Sequence, residues 1–178
     1  MTVLARDLVL EHFRWDQGHA DVWAVFRDAE AMAAVVAGLV APFRDARVTA
    51  VCGIESRGFL LGGAAAVALG AGFVPIRKSG SLFPGDKVVR RTPPDYRRRR
   101  HTLRMQRGSL GVGDRVVLVD DWIETGSQAA TARAMAEECG AGWLGCSVVV
   151  DQLAEERRAV LGPVHALLTA RELPAPAG

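Results

Sequence analysis

Between Val116 and Gln128 the chain reads Val-Val-Leu-Val-Asp-Asp-Trp-Ile-Glu-Thr-Gly-Ser-Gln. Four apolar residues and two carboxylates lead into a short polar loop, and Ser127–Cys139 beyond it has helical character. A continuous Val/Leu run of this kind suits a strand buried on both faces, as found in parallel sheets with helices above and below. In such sheets ligands bind beyond the carboxyl ends of the strands, which is where the carboxylates and the loop fall. Backbone N–H groups of Thr125–Gln128, at a helix N-terminus, would form a cradle for phosphate. Asp120 and Asp121 would repel phosphate and suit sugar hydroxyls or a metal ion instead. Phosphate and hydroxyls side by side describe a ribose 5-phosphate. A lone Asp-Asp at a strand end is commonly structural, but the full pattern is much harder to explain without a ligand.

The remaining segments fit the same architecture. Met32, Val35, Val36, Leu39 and Val40 have helical spacing from Asp28, a good N-cap, to about Phe43. Arg47–Gly53 reads as a short buried strand, and Arg57–Ala68 as a helix whose Gly62-Gly63 pair permits close packing on a sheet. Gly72–Arg77 is a further strand, with Pro75 pointing to an edge or a strand end. Ser79–Pro94 has the punctuation of a loop or hairpin. Asp114–Val119, Leu144–Val150 and Val164–Leu168 complete the strands, and residues 1–28 read as aromatic and irregular. Strands alternating with helices predict an α/β fold, a parallel sheet with helices on both faces. At 178 residues, one domain is expected over 1–178, with a divergent hood segment at 1–28 and a flexible basic loop at 79–107.

Composition narrows the setting. With 49% hydrophobic and 24% charged residues the chain is globular, and apolar runs such as Leu60–Ala68 are too short to span a bilayer. Arg6, Asp7 and Glu11 interrupt any leader-like stretch, so the expectation is a cytoplasmic protein without membrane contact. Cys52, Cys139 and Cys146, with no CxxC spacing, suit reduced thiols. Net charge is only +2, yet Lys87–Arg107 holds nine Lys/Arg and a single acid, Asp95. So concentrated a charge fits a solvated loop, an anion site or a nucleic-acid contact.

Val116–Gln128 resembles the PRPP-binding signature of the type I phosphoribosyltransferases. Gly53-Ile54-Glu55-Ser56-Arg57-Gly58-Phe59 is similar to the pyrophosphate loop of the adenine-specific branch, and Gly72–Gly80 to its next strand and basic end. The similarity covers about Arg47 to Leu173. It implies the parallel-sheet fold of that family and transfer of a 5-phosphoribosyl group from PRPP to a purine or purine-like base. It also implies Mg²⁺ as cofactor, carried largely by PRPP near Asp120 and Asp121, and a homodimer. Under the resemblance Asp120 and Asp121 hold the ribose hydroxyls. Glu124, Thr125, Gly126, Ser127 and Gln128 surround the 5′-phosphate, and Arg57, Arg77 and Lys78 meet pyrophosphate. Glu124, Arg57 and Asp95 are the candidate catalytic residues.

Three features depart from the family. Glu124 stands where the adenine enzymes have a small residue and the hypoxanthine-guanine enzymes an acid, so it is a candidate acid or base for the incoming heterocycle, or a first-turn Glu complementing the helix dipole. The loop has Asp95-Tyr96 in place of the family's Glu-Tyr pair, with Pro93 and Pro94 before it and Arg97–Arg100 after it; Ser81 replaces a common lysine. The N-terminal segment lacks the family's Phe-Arg-Asp stretch and carries aromatic residues instead, leaving the base open. Trp15, Trp23 and Trp122 are candidates to stack on that base, although a single Trp is more often simple packing. Two rival readings are a PRPP-binding regulatory protein without turnover and an RNA contact through the arginines. Nucleic acid is not expected, because aromatic interleaving is sparse there.

Overall fold

The structure, a computed structural model, describes residues 2–78, 80, 82–95 and 97–175, without the side chains of residues 2 and 3. Tyr96 and Ser81, singled out above, lie outside the described residues. The hood begins with α1 (Thr2–His12), followed by the hairpin β1 (Arg14–Asp16) and β2 (His19–Asp21) and by α2 (Trp23–Arg27). Then come α3 (Ala29–Val40), β3 (Ala50–Ile54), α4 (Arg57–Leu69) and β4 (Gly72–Lys78). The hairpin β5 (Lys87–Arg91) and β6 (Thr102–Gln106) precedes β7 (Arg115–Ile123) and α5 (Ser127–Glu138). The chain closes with β8 (Gly142–Asp151), α6 (Glu155–Leu161) and β9 (Val164–Thr169).

Seven strands form one sheet in the order β5-β6-β4-β3-β7-β8-β9. From β4 to β9 all neighbours are parallel; β6 pairs antiparallel to β4 and to β5. Side chains of a strand alternate between faces, and β7 shows it. Val117 and Val119 pack into the core shared with α1, α3 and α4, whereas Val116 and Leu118 join the core beneath α5 and α6. Helices therefore cover both faces, as the strand–helix alternation predicts.

Several expectations need correction. The 1–28 segment is not irregular over its described residues, 2–28: Ala5, Val9 and Phe13 recur every four residues and are buried, which seats α1 against α3. Strand β7 does not end at Val119 but continues to Ile123, so both carboxylates belong to the strand. Strand β3 starts at Ala50, after Arg47 turns the chain at φ 49° and Thr49 Oγ1 donates to Asp114. Of the Gly62-Gly63 pair only Gly62 packs closely; a Cβ there would lie 2.8 Å from the Phe73 ring, while Gly63 has open space.

Strand β4 is interior, although Pro75 pointed to an edge. Gly72 N–H donates to Thr49 and the Ile76 carbonyl accepts from Glu55, so even-numbered residues of β4 face β3. The Pro75 nitrogen faces the other side, where, among the described residues, β6 pairs only with Arg77 and Lys78. The missing donor thus falls where no ladder exists.

Candidate active site

The carboxyl ends of β3 and β7, the start of α5, the Asp95–His101 turn and the hood hairpin surround one cavity of about 930 Å³. Its floor is made by a close approach. A Cβ on Gly53 would lie 2.1 Å from the Gly58 carbonyl oxygen, and one on Gly58 would lie 3.0 Å from Asp120 Oδ1. Two glycines therefore let the loop after β3 fold onto the end of β7, which brings Arg57 to the carboxylates. Arg57 Nε lies 2.8 Å from Asp121 Oδ2, and that buried oxygen makes no aligned hydrogen bond among the described residues. Asp120 Oδ1 accepts from the Asp121 backbone N–H at 2.9 Å. Burial, and next the charge of Asp121, hold the Asp120 carboxyl well above the usual carboxylate range, with Lys78 pulling only weakly against them. Such neighbours resist ionising together until a cation or a set of hydroxyl donors arrives.

Gly126 has φ 70° and caps α5, its missing side chain making room for Leu153 and Leu161. Thr125 Oγ1 donates to Ser127 Oγ at 3.1 Å and accepts from the Ser127 N–H at 3.4 Å. The first amides of α5 open onto the same cavity, which suits an anion. Glu124 lies beside them. Burial, followed by the charge of Asp95, pushes its carboxyl above the ordinary range, and Arg97 partly offsets this.

Of the residues expected from sequence, Arg57, Lys78, Asp95, Asp120, Asp121, Trp23, Trp122 and the whole of Glu124–Gln128 line this cavity. Two do not. Trp15 packs edge-on against Phe13 and donates to the Pro174 carbonyl, so it is no wall of a base site. Arg77 donates to Glu55 at 3.2 Å and to the Leu82 carbonyl at 2.9 Å, bracing the loop without lining the cavity.

Asp95 is spent within its own turn. Its Oδ1 accepts from the backbone N–H groups of Arg97 and Arg99, and its Oδ2 lies 3.1 Å from His101 Nε2. Burial pushes the Asp95 carboxyl up, but these donors together outweigh it and the net displacement is downward. Residues missed in the sequence are Glu55, which accepts from the Lys78 N–H at 2.9 Å, and His101, His19 and Gln152, all facing the cavity. A signal existed for Glu55, inside the Gly53–Gly58 loop; nothing local marked Gln152, which reaches the site from β8.

A parallel sheet with this strand order, a carboxylate pair at the end of β7 and an anion cradle at α5 define a type I phosphoribosyltransferase. The chain is 39% identical over 150 residues to the adenine phosphoribosyltransferase of Methylococcus capsulatus, covering 83% of this chain and 86% of that protein. It belongs to the adenine phosphoribosyltransferase family. The enzyme of Dinoroseobacter shibae is 38% identical over 131 residues, 74% of this chain and 72% of that one. The crystal structure of adenine phosphoribosyltransferase from Rhodothermus marinus superposes with a TM-score of 0.82 at 30% identity, covering 94% of this chain and 99% of that one. The Saccharomyces cerevisiae enzyme, crystallised with an imino-altritol bisphosphate and adenine, gives 0.80 at 30% identity over 94% and 100%. No family model matches the chain. Among the described residues no helix is long and apolar enough to cross a membrane.

Proposed function

We propose that this chain transfers the 5-phosphoribosyl group of PRPP to adenine, giving AMP and pyrophosphate. The observation that carries the reading is the convergence of Asp120-Asp121, the α5 amides, Arg57 and Lys78 on one cavity, in a chain related to enzymes named for adenine. The C1′–O bond to pyrophosphate breaks, the bond from C1′ to a ring nitrogen of the base forms, and the base gives up a proton. The carboxylates orient the ribose hydroxyls and face the cationic C1′; the α5 amides hold the 5′-phosphate; Arg57 and Lys78 meet the negative charge growing on the leaving group. No observation favours a PRPP-binding regulator without turnover or an RNA contact.

Mg²⁺ fits this site only as an ion that arrives with its substrate. Among the described residues no cluster of three His, Cys, Asp or Glu side chains could cage a metal, whereas Asp120 and Asp121 line the cavity as a carboxylate pair that would suit a hydrated ion. Bound there, Mg²⁺ would neutralise charge on the departing pyrophosphate. Release of pyrophosphate from PRPP is therefore expected with adenine, to be abolished by EDTA and to return with excess Mg²⁺. Silence with PRPP still bound by calorimetry would favour the regulatory reading; silence without binding would sink the site. A cytoplasmic homodimer belongs to the same reading, and sedimentation as a single 19.0 kDa chain would remove the dimer.

In this reading Glu124, which lines the cavity, takes the proton released by the base. Because its carboxyl titrates above the ordinary range, the acid limb of kcat/KM should lie above the usual glutamate value of about 4.3. Glu124→Gln should lower kcat by about 100-fold and erase that limb. An unaltered pH–rate profile would leave Glu124 as a helix-terminus charge only.

A further inference from the structure

Gln152 lines the cavity from outside the sequence motifs. Gln152 follows β8, and its backbone N–H donates to the Ile123 carbonyl at 2.8 Å, which ties the end of β8 to the end of β7. Its side-chain Oε1 accepts from the Trp122 indole N–H at 3.0 Å. An indole nitrogen can only donate, so this contact fixes which end of the amide faces Trp122. The Nε2 group is turned away from it, and its two N–H donors have no partner among the described residues. Gln152 is exposed at the cavity wall.

The position is informative. The 5′-phosphate cradle lies on the α5 side of the sheet, and Asp120-Asp121 mark the ribose at the strand end. Trp122 packs instead against the core on the hood side. His19, Ala20 and Trp23 of the hood line the same cavity. A base attached to C1′ and directed away from the 5′-phosphate would lie toward Trp122 and the hood residues.

Resting on the proposed reaction, we infer that Gln152 is a specificity-determining residue for the acceptor base: its carboxamide, held by Trp122, donates a hydrogen bond to a ring nitrogen of the purine. Trp122 has a double part, as a wall beside the ring and as the anchor that orients the donor. The donor selects heterocycles that present an unprotonated ring nitrogen at that edge. A ring with C–H in that place leaves the amide unpaired and binds less well.

The test is steady-state kinetics of the wild type and Gln152→Ala with adenine and with 1-, 3- and 7-deazaadenine, each replacing one ring nitrogen by C–H. Gln152→Ala should raise KM for adenine about 5–10-fold, the effect of one neutral hydrogen bond, with KM for PRPP within about twofold. One deaza analogue should show the same penalty in the wild type and none further in the variant. Trp122→Phe, which keeps a ring and drops the N–H, should weaken adenine binding non-additively with Gln152→Ala. An unchanged KM for adenine in Gln152→Ala overturns the inference. So does an equal loss for adenine and all three analogues, which would mean a wall without a hydrogen bond. No turnover of adenine by the wild type overturns the proposed reaction and this inference together, whereas turnover with an indifferent Gln152→Ala overturns the inference alone.

Discussion

Asp120→Asn is expected to lower kcat/KM for PRPP by about 10²–10³-fold, the scale of losing one preorganised electrostatic group, while making the protein more stable near neutral pH. Both effects have one origin. Asp120 sits against Gly58 and beside Asp121, and burial with that like charge raises its carboxyl well above its value in an unfolded chain. A group whose folded value is raised contributes stability only while protonated. That contribution is present at acid pH and is lost as pH climbs through the unfolded value, about 3.9, toward the folded one. Asparagine has the shape of the protonated form at every pH. The variant should therefore melt higher at pH 7–8, each ~1 kcal/mol appearing as about 2–4 °C in a chain of this size. The advantage should shrink as pH falls below about 4. Thermal scans at several pH values together with PRPP kinetics check both parts. Normal kinetics would remove Asp120 from the ribose site, and a lower melting temperature at neutral pH would refute the account of its ionisation.

The largest effect on the fold is expected at Gly53. Alanine there would set a Cβ 2.1 Å from the Gly58 carbonyl oxygen, and neither group can swing aside as a flexible side chain would. The loop from Glu55 to Arg57 must lift, which separates Arg57 from Asp121 and uncouples Glu55 from Lys78. Overpacking against backbone costs about 3 kcal/mol or more, so the melting temperature should fall by about 6–12 °C, and turnover should fall even at temperatures where the variant is folded. Gly63→Ala is the internal control. It lies in the same helix-and-loop unit with nothing within 4 Å of its Cβ position, and exchanging a helical glycine for alanine adds about 0.5–1 kcal/mol. A Gly53→Ala variant as stable as the wild type would show that the loop does not depend on that approach.

What could be read without coordinates followed from how local each signal is. Asp120–Gln128 is one continuous strand, loop and helix start, so its chemistry is written in consecutive residues, and β7 runs past Val119 because two strand-poor Asp residues are carried between strand-forming Val119 and Trp122-Ile123. The α1 helix carries a four-residue period in Ala5, Val9 and Phe13, set among aromatic and polar residues that follow no period of their own. Trp15 and Arg77 were expected at the site from their places in the hood segment and at the basic end of β4, and place along the chain does not report the direction of a side chain. The indole turned to Phe13 and Pro174, the guanidinium to Glu55 and Leu82. Gln152 and His101 needed the strand order, since each reaches the cavity from an element distant in sequence from β7. Asp95 kept its expected place at the cavity, but the turn that consumes its oxygens is set by amides whose positions depend on Arg98 at φ 58°.

The junction between β4 and β6 has a bearing on how such a chain can change. Among the described residues only Arg77 and Lys78 pair the arginine-bearing hairpin with the rest of the sheet, and Pro75 offers no donor for a further rung on that side. Residues can be gained or lost between Lys78 and Lys87, or between Arg91 and Thr102, without shifting the register of β4 on β3. The proline acts as an insulator, so changes in the arginine-bearing hairpin and its loops need not be felt by the central sheet.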